Sequence, residues 1–260
     1  MNERHHYRSV VQATTLVGAG SLVAILIGLV RTKVLALLLG PAGVGLAGLY
    51  ATILAPLTII GGLGMETSGV CQIAAAEGRG DQTRAGAVAR AMLRLGWLCG
   101  VTGGLAAAVL ARPLSRWTFQ SEAHAPAIAW LGFAVLCGNL AAFHSGVLQG
   151  RRRLGALARL AVWSALGGTL AGISCYWLLG MRGIVPSLLL ASLWTALVSW
   201  LLVWRDPVVA AGGAPVNLRA EARGLLRLGL PLVATALVGA CVTYAARLIV
   251  LRQFALDGVG

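Results

Sequence analysis

The sequence predicts an all-α, polytopic membrane protein: a first lobe of six spanning helices followed by the first helix of a second lobe. Three observations predict it. Apolar runs of roughly 20 residues, the length a helix needs to cross about 30 Å of hydrocarbon, recur along the whole chain. The runs are continuous and do not alternate, which excludes a closed barrel, the other backbone arrangement that satisfies its own hydrogen bonds in lipid. Of 260 residues, 58% are hydrophobic and 11% charged, a balance foreign to soluble domains.

The elements follow in order. The first helix covers about Thr14 to Leu39 and stops at Gly40-Pro41, where glycine ends a helix and proline cannot continue one. Because its apolar run passes 20 residues without a cleavage site, the MNERHHYR lead-in reads as a retained signal anchor. The second helix runs from about Gly43 to Gly64, and the increasingly polar METSGVCQIAAAEGRGD is expected at the interface. Further helices span about Val88 to Ala111, Pro126 to Gln149, Leu157 to Gly180 and Gly183 to Trp204, completing a lobe over 1–206. Residues 207–227 form a cytoplasmic linker rich in Pro207, Gly212, Gly213 and Pro215. It ends in a short amphipathic helix capped by Asn217, with Leu218, Leu225 and Leu226 on one side and Arg219 and Arg223 off it, expected on the membrane surface. Residues 228–260 hold the seventh helix, about Leu228 to Leu251.

The formal charge of +13 would suggest a nucleic-acid partner in a soluble protein, but its placement gives it another meaning. Fourteen of the 21 Lys and Arg fall in the N-terminal lead-in and around the loops after the second, fourth and sixth helices. Four, Arg112, Arg116, Arg182 and Arg252, fall on the opposite side. Cationic loops stay in the cytoplasm, so the N-terminus is expected there and nucleic acid is excluded as a partner. Membrane lipids are the expected contact of the basic loops, with His5, His6 and Arg151 to Arg153 read as solvated topology signals. The five cysteines stand singly in apolar segments and read as small buried hydrophobes, with no metal-ligand spacing.

A faint repeat links Arg31–Gly45, RTKVLALLLGPAGVG, with Arg247–Gly260, RLIVLRQFALDGVG: arginine, an aliphatic stretch, then a GVG turn. Two parallel repeats of six helices, as in some transporters, would produce it. The run GLVRTKVLALLLGPAGVGLAGLYATILAPLTIIGGLGMETSGVCQIAAAEGRGD resembles the opening of bacterial O-antigen and polysaccharide flippases, the Wzx-like branch of the MOP superfamily. The cation late in the first helix, the LGPAGVGL turn, the GLG end of the second helix and the EGRGD turn carry the resemblance. It implies twelve or more helices in two lobes, so this chain is expected to be truncated relative to the family. It further implies translocation of an undecaprenyl-diphosphate-linked oligosaccharide across the cytoplasmic (inner) membrane of a bacterium. Glycan polymerase and chain-length proteins are the partners it suggests.

A diphosphate cannot cross hydrocarbon unaided, so such a protein needs sheltered cations. Arg31 lies nine residues before Gly40, roughly 13 Å inside the outer boundary at 1.5 Å per residue. It either faces a cavity and pairs a phosphate or snorkels outward. Lys33 lies about 200° further round the helix, so both cations cannot face one narrow lumen. Arg247 holds the matching place in the seventh helix, where the two arginines would pair across the lobe interface or Arg247 would snorkel. Glu66 is either an interfacial carboxylate or, facing the lumen, a group that exchanges protons with a coupling gradient. Asn139 and His144 either line a cavity or hydrogen-bond between helices. Gly96, Gly100 and Gly104, with Gly168 and Gly172, form small-residue faces expected to serve packing alone.

No nucleophile and base stand at recognisable spacing and no phosphate-cradling loop occurs, so neither an enzyme nor a cofactor is expected. Other cargo within the superfamily, a drug or a peptidoglycan precursor, and a non-transporting membrane subunit remain as alternatives.

Overall fold

In the computed structural model, which describes residues 3–206 and 218–254, every regular element is helical among the described residues. The helices are α1 (Glu3–Gly62), α2 (Met65–Gly78), α3 (Gln82–Val109), α4 (Ala111–Phe119), α5 (Ala125–Gly150), α6 (Leu154–Leu179), α7 (Ile184–Trp204) and α8 (Leu218–Phe254), with a 3-10 turn at Gly180–Gly183. Among the described residues, five stretches are long and apolar enough to cross a membrane. Two of them, Val17–Gly62 and Leu154–Trp204, are double length and fold back at glycine. Gly40 takes φ 68° and ψ −174° before Pro41, breaking α1 into two limbs. Gly180 takes φ 56° ahead of the turn that joins α6 to α7. Seven apolar helical segments result, as the sequence predicts.

α5 sits at the centre. It packs along α3 through the predicted glycine face: a Cβ on Gly104 would stand 2.7 Å from the Gly132 carbonyl oxygen, and one on Gly96 3.0 Å from Phe143 Cβ. Close backbone approach of this kind replaces the hydrophobic drive that lipid cannot supply. The first limb of α1 lies on α6, with Gly20 against Ala158, and turns Leu22, Leu26 and Leu29 outward. The second limb is buried instead. Its Leu46, Tyr50, Ile53 and Leu57 join Ile128, Leu131 and Val135 of α5 in the main core.

The loops hold most of the corrections. METSGVCQIAAAEG is a full helix, α2, whose Met65, Ile73 and Ala76 are buried against α3. Asp81 then caps α3 by accepting from the Arg84 amide at 2.9 Å. α4, between α3 and α5, has no counterpart among the predicted helices. The amphipathic segment from Leu218 is continuous with the seventh helix, and its apolar side is packed within the protein: fully buried Leu225 enters the α2–α3 core with Leu218 and Leu226 beside it. Asn217, the linker 207–217 and the GVG of the second repeat copy lie outside the described residues. The arginine triplet is also not uniformly solvated. Arg151 and Arg153 each place Nε 3.0 Å from Oδ2 of fully buried Asp206, and Arg151 reaches Glu77 at 3.5 Å. Three of the cysteines are buried, but Cys71 and Cys241 are exposed.

α8 is fastened at both ends. At the basic end Arg84 pairs bidentately with Glu221, and Gly229 meets Gly64 so closely that a Cβ on Gly64 would stand 2.4 Å from the Gly229 carbonyl oxygen. At the other end Tyr244 and Thr118 share a hydrogen bond of 2.6 Å. Gly64 also has φ +65°.

Gly64→Ala should therefore cost about 1–3 kcal/mol from backbone strain alone, before the clash with α8 is added. A melting temperature in detergent equal to that of the wild type would contradict this contact. Asp206→Ala should cost about 3–5 kcal/mol, because it leaves the nearly buried Arg151 without one of its two carboxylates. Unfolding in denaturant at the wild-type midpoint would show that the cluster contributes nothing.

Candidate functional site

Arg31 lies in the first limb of α1, opposite a strip of α6 without side chains. A Cβ on Gly172 would stand 3.1 Å from its Nε, and one on Gly168 3.7 Å from its Nη1. The planar guanidinium fits there because both positions are glycine, so these residues do more than the packing expected of them. Nη2 donates to Tyr176 Oη at 3.3 Å, and Ser187 Oγ donates to the same oxygen at 3.1 Å. Tyr176 and Ser187 are buried, which fixes the orientation of the acceptor. A guanidinium has five N–H donors, and Tyr176 takes one.

The free side of Arg31 borders a hollow of about 420 Å³ between α1, α5, α6 and α7. Its walls carry the hydroxyls of Thr58, Ser164, Thr169, Ser192 and Thr195, and no acidic residue lines it. Thr58, Ser192 and Thr195 donate to carbonyls of their own helices. The buried Ser164 Oγ has no partner among the described residues. The hollow thus offers uncompensated positive charge and an unused hydroxyl, in a volume within the roughly 300–1,000 Å³ of small-ligand sites.

The other two cations lie elsewhere. Lys33 is exposed and does not line this hollow. Arg247 crosses from α8 to the second limb of α1, where Nη1 donates to the Gly48 carbonyl and to Thr52 Oγ1 at 2.7 Å. It borders a separate cleft of about 370 Å³ lined by Ala51, Thr52, Ala55 and Gly239. The pair expected across the lobe interface is not formed: Arg31 serves a hollow inside the first lobe, and Arg247 serves the seam with α8. Arg247 is held there by the Gly48 carbonyl and the Thr52 hydroxyl, which are also hydrogen-bonded to each other.

Glu66 and Asn139 share a third hollow, about 280 Å³, between the end of α1, α2, α5 and α8. Glu66 therefore faces the interior, and burial raises its carboxyl pKa above the ordinary 4.5. No basic side chain lines this hollow to oppose that shift. Asn139 Nδ2 donates to the Val135 carbonyl at 3.1 Å, and the amide lies over Gly61 and Gly62, where a Cβ would stand within 3.1 Å of it. Thr58 lines this hollow as well as that of Arg31. His144 lines none of these three. It is buried against α7 with Nδ1 3.0 Å from Ser199 Oγ. Ser199 Oγ lies within hydrogen-bond reach of both the Ala196 carbonyl and His144 Nδ1. His144 is an interhelical tie, the second of the two roles its sequence position allows. Tyr176, Ser164 and Ser187 had no motif to mark them: each is a polar residue on an apolar helix, and Tyr176 and Ser187 find partners more than ten residues away.

The same arrangement of helices occurs in solved transporters. The chain superposes on an inward-facing multidrug resistance MATE family transporter of the MOP superfamily with TM-score 0.71 and 22% identity, over 91% of this chain and 55% of that one. It matches a crystal structure of a mutant MATE with TM-score 0.71 and 19% identity, over 95% of this chain and 58% of that one. The chain thus spans a little over half the length of each, and the likeness is one of fold. Curated proteins give no match. The family profile described as "Polysaccharide biosynthesis protein" matches residues 10–259, nearly the whole sequence. This chain belongs to the polysaccharide biosynthesis protein family.

Proposed function

We propose that this chain forms the first lobe, 1–206, the linker, 207–227, and the opening of the second lobe, 228–260, of a flippase. Its cargo is an undecaprenyl-diphosphate-linked oligosaccharide such as an O-antigen repeat unit, carried across a bacterial cytoplasmic membrane with the N-terminus in the cytoplasm. The observation that carries the reading is Arg31 held on Gly168 and Gly172 beside a hollow without acidic residues, in a member of a polysaccharide biosynthesis family. An unneutralised guanidinium at that depth is expensive unless an anion visits it. Its planar fork suits a phosphate better than an ammonium would. Arg247 supplies a second cation on the seam with α8, along the path a head group takes if the lobes rock apart.

A second reading, a cation-coupled drug antiporter, is favoured by Glu66, a carboxylate without a basic partner in its hollow. The same residue serves the flippase as its proton exchanger, so the cargo separates the readings and the coupling group does not. A non-transporting subunit that assembles with glycan polymerases predicts no dependence on either residue.

In a deletion strain, lipid-linked glycan should accumulate on the inner face and be cleared by the full-length gene. Arg31→Ala should reduce clearance at least about tenfold, the effect of losing one charge-assisted phosphate contact, with Arg31→Lys intermediate. Full rescue by Arg31→Ala removes Arg31 from transport.

Glu66 makes a separate prediction about pH. Its raised pKa means the folded protein keeps a proton that the unfolded chain has released, so stability should fall as pH rises from about the ordinary carboxyl value. Glu66→Gln should flatten that dependence and uncouple transport from the proton gradient. A melting temperature that responds to pH identically in both proteins would place the titration on another group.

A further inference from the structure

The largest of these hollows, about 610 Å³, lies at the end of the molecule opposite the basic loops and belongs to none of the sites above. It is bounded by the second limb of α1, the start of α5 and the start of α7. Its floor is apolar, made by Leu46, Ala127, Val185 and Leu189. Its polar rim is Tyr50, His124 and Arg182. The rim is built: Tyr50 Oη and His124 Nδ1 are 2.9 Å apart, and Phe119 stacks on the imidazole with ring centres at 4.1 Å. Burial holds the His124 pKa below its ordinary value, so the imidazole is a neutral hydrogen-bonding group there.

Three features select the guest. Trp117, Trp130 and Trp177 are all exposed at this end of the bundle, and such indoles mark the level of lipid head groups. The hollow lies beside Trp130, at the level these indoles mark. Arg182 is exposed on its rim without an acidic partner among the described residues, of which Glu122, the acid at this end, is paired with Arg116. A zwitterionic head group would bring an amine that finds no carboxylate here.

From these features we infer that this hollow is a binding site for an anionic phospholipid of the outer leaflet, phosphatidylglycerol in kind. Its phosphate sits on Arg182, its head-group hydroxyls on the Tyr50–His124 pair, and its first methylenes on Val185 and Leu189. The site is independent of the transport reading, because lipid retention is measured without transport.

Native mass spectrometry of the full-length protein, titrated with phosphatidylglycerol or phosphatidylethanolamine, tests it. Phosphatidylglycerol should be held about fivefold more tightly, and Arg182→Gln should remove that margin, the effect of one basic residue facing an anionic lipid. Arg112→Gln, an exposed arginine at the same end but off the hollow, should leave the margin intact. Ala127→Phe fills the floor while keeping Arg182, and should also lower retention should the arginine variant fold poorly. Equal retention of the two lipids, equal losses in the Arg182 and Arg112 variants, or wild-type retention by Ala127→Phe would each overturn the site. Displacement of phosphatidylglycerol by undecaprenyl phosphate at lower concentration, dependent on Arg182, would assign it to the carrier lipid and overturn it equally.

Discussion

Hydrocarbon supplies no hydrogen bonds, and that constraint shapes this molecule more than any single contact. Polar atoms within a spanning helix are therefore answered chiefly by the protein itself, and the answers that cross between helices fix one helix against its neighbour. Thr58, Thr102, Thr195 and Thr243 fold their hydroxyls back onto carbonyls one turn earlier. Those that reach across helices set the architecture: Ser199 to His144 joins α7 to α5, Trp194 to the Trp163 carbonyl joins α7 to α6, and Arg247 to Gly48 joins α8 to α1. Apolar packing alone cannot specify such neighbours, because lipid tails satisfy leucine as well as another helix does.

Glycine carries the other half of the specification, in two distinct ways. At Gly40 and Gly180 the backbone takes a positive φ and ends a helical run, turning two double-length apolar stretches into four crossings. Along α3 and α6 glycine stays helical, and its missing side chain is what matters. On α3 the gap admits the backbone of α5. On α6 it admits a guanidinium, so a strip that looks like a packing face becomes the wall of a charged site. The same sequence pattern has two physical outcomes, and the difference is what lies opposite.

That difference explains which features could be read from the sequence. Spanning segments were legible because hydropathy over 20 residues is a bulk property, and the Gly40-Pro41 break because its chemistry is local. The burial of α2 and of the start of α8 was not legible, because charged residues are interspersed with apolar ones in both. Ile73 and Leu225 nonetheless each occupy a fully buried position that only the folded bundle creates. Arg31 and Glu66 stood out as charges near apolar runs. Tyr176 and Ser187 did not, because a hydroxyl in a membrane helix acquires meaning from a partner far away in sequence, and Ser164 did not, because only the folded bundle makes the hollow it lines.

The positions of the two arginines also bear on how a head group would travel. Arg31 and Arg247 do not share a cavity; the second limb of α1 lies between them, presenting Thr58 to the Arg31 hollow and Thr52 to Arg247. A phosphate passing from one to the other must therefore go round or displace that limb. The limb is held at one end by the Gly40 break and at the other by Asn139 lying over Gly61 and Gly62. Between those points its contact with α8 includes Arg247 on Gly48 and Thr52, Tyr244 packed on the core beside Tyr50, and a cleft lined by the small residues Ala51, Ala55, Ala236 and Ala240. Small residues allow helices to slide with little change in buried area, whereas interdigitated leucines do not. An anion reaching Arg247 would compete with the Gly48 carbonyl and the Thr52 hydroxyl that tie α8 to α1 there.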